Sequence, residues 1–137
     1  MTHQIEIRLQ PMEYGFNLIS ERIEAAIPFL PQQGLVNVFL KHTSAGLCIN
    51  ENASQDVQAD FRYFLDKLVP EHDPNFKHID EGPDDMPAHI KSSLIGQSLT
   101  IPIKDGRLAL GTWQGIFLCE FRRNSSRRNI IITIIGE

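Results

Sequence analysis

The stretch WQGIFLCEFRRNSSRRNIIITII, residues 113 to 135, decides the fold. It is two extended runs joined by a polar, arginine-rich turn. Side chains alternate across a strand, so Gln114, Ile116, Leu118 and Glu120 share one face. Gly115, Phe117, Cys119 and Phe121 share the other. Both faces are largely apolar, and NIIITII repeats the pattern. Such strands are covered on both sides, by helices, a second sheet or a partner subunit.

Working outward, SLTIPI and RLAL precede this region as strands, with KDG the turn between them. At the other end, IEIRL alternates with Ile5, Ile7 and Leu9 on one face, and EYGFNLI reads as extended. Ser20 suits a helix N-cap, and ERIEAAIPFL sets Ile23, Ala26, Ile27 and Leu30 on one stripe, ended by Pro28 and Pro31. GLVNVFLKH predicts a strand with Val36, Val38, Leu40 and His42 on one face; TSAG turns and LCI resumes extended structure. SQDVQADFRYFLDKLV is the longest helical pattern, with Val57, Phe61, Phe64, Leu65 and Leu68 as its stripe. PAHIKSSLIG is a short helix with Pro87 in its first turn and Gly96 just past its end. Between these helices, residues 70 to 86 form a polar, proline-bearing loop, long enough to be functional or disordered. The order predicts an α+β fold, one compact domain over residues 1–137 with a β-rich, sandwich-like, largely antiparallel core and two to three helices.

Composition narrows the function classes. The chain has 137 residues, 42% of them hydrophobic, which suits one domain with a real core. A formal charge of −4 argues against a dedicated nucleic-acid or anionic-membrane binder. No apolar run approaches the roughly 20 residues of a membrane helix. The start, MTHQIEIRLQ, alternates and carries charge, unlike a signal peptide. Cys48 and Cys119 are expected as free thiols that pack as small core residues, and the protein as soluble and cytoplasmic.

His42 alone reads as a buried histidine satisfied by one hydrogen bond. His78, in the long loop, and His89, in the first turn of the short helix, change that reading. Three imidazoles from a strand end, a loop and a helix start describe a catalytic-type zinc site with an open fourth position. The positive end of a helix disfavours imidazolium, which suits His89 as a ligand. Asp84 and Asp85 precede Pro87. Capping is their simplest role; ligating a hard cation or acting as general base is the alternative. Glu51 either accepts from a metal-bound imidazole or begins the long helix. In GTWQG, Trp113 is a core aromatic or a stacking plane for a flat heteroaromatic ligand, and Gln114 a partner for that ligand's edge. Arg122, Arg123, Arg127 and Arg128 flank a turn, as a solvated hairpin tip or a phosphate clamp. His3 and His72 are expected to face solvent.

Three segments, GLVNVFLKHTSAGLCINEN, DDMPAHIKSSLIG and GTWQGIFLCEF, resemble the hallmark segments of the YjbQ family. These are small proteins named by similarity as secondary thiamine-phosphate synthase enzymes. The resemblance covers nearly the whole chain. It implies a compact α+β domain, usually a homotrimer, with motif histidines at His42, His78 and His89 and a GTWQ signature at Gly111 to Gln114. The implied reaction joins a pyrimidine diphosphate to a thiazole phosphate and releases pyrophosphate. That displacement suits Mg²⁺ on the diphosphate, whereas three histidines suit zinc or another transition metal. The expectation is a metal-assisted transferase acting on a small phosphorylated or heteroaromatic substrate. Asp85 or Asp84 would move a proton, and Thr43 and Ser44 would hydrogen-bond anionic substrate oxygens. A non-catalytic metal or ligand binder and a structural homotrimer are the other two readings.

Overall fold

The computed structural model describes residues 1–137. The elements run β1 (Thr2–Leu9), β2 (Gly15–Leu18), α1 (Ser20–Ala26), β3 (Gln33–Leu40), β4 (Ala45–Glu51), α2 (Gln55–Leu68), α3 (Asp85–Ile95), β5 (Ser98–Lys104), β6 (Arg107–Leu108), β7 (Gln114–Glu120) and β8 (Arg128–Gly136). They form two sheets, one of five strands in the order β1-β8-β3-β5-β6 and one of three in the order β2-β7-β4. Every pairing is antiparallel. This is the expected α+β architecture.

The two faces of β7 explain the layering. Ile116 and Leu118 join the main core with Val36, Val38, Ile130 and Ile132 of the five-stranded sheet. Phe117 and Cys119, with Phe121 just beyond the strand, pack instead against Leu65 of α2 and Ala88 of α3. The small sheet is therefore sandwiched between the large sheet and two helices. Cys48 and Cys119 are free thiols on that helix-facing side, with sulfurs 3.6 Å apart. No helix is long and apolar enough to cross a membrane.

Three local expectations are corrected. Ser20 caps nothing: its hydroxyl accepts the Ile116 N–H at 2.9 Å, tying α1 to β7. The last helix begins at Asp85, not Pro87, and neither aspartate makes a capping hydrogen bond to it, because both carboxylates are drawn to arginine and histidine. The arginine turn is only in part a solvated tip: Arg127 is exposed, but three of its arginines find carboxylates. Arg128 is buried and donates to Glu120, itself fully buried; Arg122 pairs inward with Asp84 and Asp85, and the exposed Arg123 pairs with Glu71.

Candidate metal centre

β3 and β4 are joined by the turn that carries His42, Thr43 and Ser44. α3 packs over β4 at this end, and Ser92 fixes it there by donating to the Ala45 carbonyl at 2.7 Å. Asp85 and His89 are four residues apart, so they lie on one face of α3. The loop before the helix folds back and adds His78. Nε2 of His78 lies 2.7 Å and Nε2 of His89 3.1 Å from the same oxygen, Oδ2 of Asp85. The three ligating atoms lie within 4.8 Å of one another.

The surrounding groups fix this arrangement. His89 Nδ1 lies 2.9 Å from the Thr43 carbonyl, which can only accept, so Nδ1 carries a proton there. Arg122 donates to the other oxygen of Asp85, Oδ1, and through Nε to Asp84 Oδ2 at 3.2 Å. The backbone N–H of Arg123 also donates to Asp84, at 2.9 Å. Burial alone would raise the Asp85 pKa, but the His78 hydrogen bond, the Arg122 charge and the imidazoles hold it below the ordinary carboxylate range. Asp84 is held low in the same way by Arg123 and Arg122, against its burial. The hydrogen bond to Asp85 is the main cause that raises His78, and Glu81, 2.9 Å from the same ring nitrogen, adds to it.

The donor set fits a divalent transition metal. Two imidazole nitrogens and one carboxylate oxygen converge, one imidazole anchored to a backbone carbonyl and the carboxylate to a guanidinium. Such outer partners orient metal ligands generally. Two histidines and a carboxylate serve as zinc ligands and as the facial triad of non-haem iron.

The other expected site residues fall elsewhere. His42 is outside the three-residue cluster; its Nε2 accepts the Asn129 N–H at 2.8 Å. Ser44 Oγ accepts from Arg128 at 3.0 Å. Glu51 accepts the N–H groups of Ala53 and Ser54, at 3.1 and 3.0 Å, in the turn leading into α2. It is a structural carboxylate here. Trp113 is 64% exposed, and Gln114 opens β7 opposite Glu51, whereas the histidines gather near the end where Glu120 faces Ala45. Six residue steps along the strand, about 20 Å, separate Gln114 from Glu120. Within one chain the structure does not bring Trp113 and Gln114 to the histidines. Arg122, read from the sequence only as part of a solvated hairpin tip or a phosphate clamp, is a site residue through its pairing with Asp84 and Asp85.

A family model for UPF0047 protein YjbQ-like matches residues 3–137. The chain belongs to that family. The UPF0047 protein YjbQ of Salmonella typhimurium is 47% identical over 140 residues, covering 100% of both chains. A UPF0047 protein of Methanocaldococcus jannaschii is 47% identical over 137 residues, covering 100% of this chain and 96% of its own. Among solved structures, a conserved hypothetical protein of Thermus thermophilus aligns with a TM-score of 0.83 at 35% identity, over 96% of this chain and 99% of that one. A YjbQ/UPF0047 protein of Clostridium acetobutylicum aligns at 0.81 and 37%, with the same coverage. None of these names states a reaction.

Proposed function

We propose that this YjbQ-family chain is a divalent-metal-dependent enzyme with its centre at His78, Asp85 and His89. The supporting observation is the meeting of two imidazole nitrogens at one oxygen of a carboxylate whose other oxygen is held by Arg122. A bound metal would supply Lewis-acid polarisation of a substrate or water oxygen. Zinc or another transition metal suits the nitrogen-rich set, and Mg²⁺ would enter with a diphosphate substrate.

In this reading Asp85 is a ligand, and His78 and His89 complete the set. Asp84 is a poor base, since Arg122 and the Arg123 N–H stabilise its ionised form. Glu81, an exposed carboxylate beside His78, is better placed to move a proton. The reaction implied by the family resemblance, transfer of a pyrimidine diphosphate to a thiazole phosphate, is the first to assay, in a cytoplasmic homotrimer. Bound metal and thiamine-phosphate formation are measured in the same preparations of wild type, His78→Ala and His89→Ala. Both variants should lose metal and turnover together. Full turnover in a variant stripped of metal would sink the metal-enzyme reading.

A further inference from the structure

On the His89 side of the centre lies an open hollow of about 470 Å³, rimmed by His42, Thr43, His89, Ser92, Ser93 and Gln97. The His42 ring is pinned at one end, where Nε2 accepts the Asn129 N–H. A backbone N–H can only donate, so Nε2 holds the lone pair and the proton of the neutral ring sits on Nδ1. No side-chain nitrogen or oxygen is buried without a partner anywhere in the chain. Nδ1 makes no protein hydrogen bond and His42 is only half-buried, so Nδ1 is open to solvent. Burial, then the neighbouring Arg128 charge, keeps the His42 pKa below its ordinary value. Glu120 works in the opposite direction without reversing this.

Ligation through Nδ1 would require moving its proton to Nε2, where the Asn129 N–H already points. A neutral N–H donor beside a metal centre has a different use: it binds a substrate oxygen without adding positive charge next to the ion. Thr43 and Ser93 bring hydroxyls to the same rim.

We propose that His42 is a substrate-binding residue rather than a metal ligand, its Nδ1–H donating to an anionic oxygen of a phosphorylated substrate that reacts at the His78–Asp85–His89 centre. The proposal rests on the metal-enzyme reading, and the test keeps the two apart. Imidazole ¹⁵N spectra and titrations with inorganic phosphate are recorded on zinc-loaded and on chelator-treated protein. His42 should rest as the Nδ1–H tautomer, and phosphate should move its resonances. His42→Met should weaken phosphate binding about 10-fold, the worth of one hydrogen bond to a charged group. His42→Gln, which keeps both an acceptor and an N–H donor, should restore most of that loss. Both variants should hold as much zinc as wild type. An Nε2–H tautomer, phosphate affinity within about twofold of wild type in His42→Met, or loss of zinc from a folded His42 variant would overturn the proposal. The wild-type tautomer decides even where a variant fails to fold. Failure of wild type to hold zinc would instead remove the metal centre, and the chelated titration would still judge His42.

Discussion

Asp85 sits at the start of α3, is 3% exposed, accepts from a guanidinium through one oxygen and meets two imidazole nitrogens at the other. Removing the guanidinium frees one carboxylate oxygen and lets the side chain turn. Arg122→Gln is therefore expected to weaken zinc binding about 10- to 100-fold, the usual cost of losing a partner of a metal ligand. Competition with a chromophoric chelator reads this directly, and wild-type affinity would show that Arg122 positions nothing. His42 gives a pH signature. Its folded pKa lies below the ordinary value near 6.5, so between the two values the unfolded chain binds a proton that the folded ring does not. Its contribution to stability is complete above about pH 6.5 and is lost as pH falls through that window. Urea unfolding at pH 7.5 and pH 5.5 should show a smaller drop for His42→Gln than for wild type. Equal drops would mean that His42 does not titrate differently on folding. His78, Asp85 and His89 were legible as candidates because each has a sharp chemistry and an unusual place in the pattern, whereas His42, expected as the third ligand, lies outside their cluster. The role of Arg122 was not legible, since an arginine beside a turn looks the same whether it points to water, to a phosphate or to a carboxylate far away in the chain.

α3 carries two of the three cluster residues, so what holds α3 holds the site. Lys91, on its buried side, donates to Asp66 of α2 at 2.7 Å and to the Tyr14 hydroxyl at 2.8 Å. Tyr14 also donates to Asp66. Burial and Asp66 push the Tyr14 hydroxyl well above its ordinary pKa, so it stays a donor. Asp66→Asn leaves a buried ammonium without its counter-charge and should cost about 1.5–3 kcal/mol, the range for hydrogen bonds to charged groups. Lys91→Met removes the charge and keeps the stem, and is expected to cost less. Chemical denaturation of both variants checks the order; Lys91→Met as the weaker protein would reverse the argument. In the large sheet, a Cβ at Gly34 would lie 2.0 Å from the Ile135 carbonyl oxygen, so the β3–β8 pairing admits only glycine there. Alternation in the sequence predicted the strands well, because it reports which face is buried. It was silent on partners: β1 with β8 and β2 with β7 join the two ends of the chain, and no local pattern encodes that pairing. Helix starts were read less well, because Ser20 and the aspartates suit caps in isolation but find stronger partners once the chain folds.

The outer face of the five-stranded sheet bears on assembly of the whole molecule. Leu35 stands opposite Ile135 and Phe39 opposite Ile131, so β3 and β8 present neighbouring apolar pairs on the side away from the core. Leu35, Phe39 and Ile135 are each about half exposed, at 48%, 45% and 53%. β7, the other strand apolar on both faces, is fully covered within one chain, by the large sheet on one side and by α2 and α3 on the other. The remaining uncovered apolar strand face is thus on β3 and β8, and a second copy of the chain is the partner expected there. Three copies is the number that the family resemblance implies, and it is the proposal to be tested. A stable interface buries about 800 Å² per partner, and the polar Asn37 and Thr133 lie between the two apolar pairs. Sedimentation equilibrium of wild type should therefore give a mass near three times 15.6 kDa at micromolar concentration. Phe39→Glu would place a charge at one end of this strip, beside Ile131, while its main-chain ladder and the core beneath stay intact. It should shift the equilibrium to monomer without lowering the α+β signal in circular dichroism. Tyr63, Phe64 and Leu68 of α2 are also exposed, so Phe64→Glu is the matched control. Dissociation by Phe64→Glu and not by Phe39→Glu would move the interface to the helix. A wild type that remains a 15.6 kDa monomer would remove the assembly altogether.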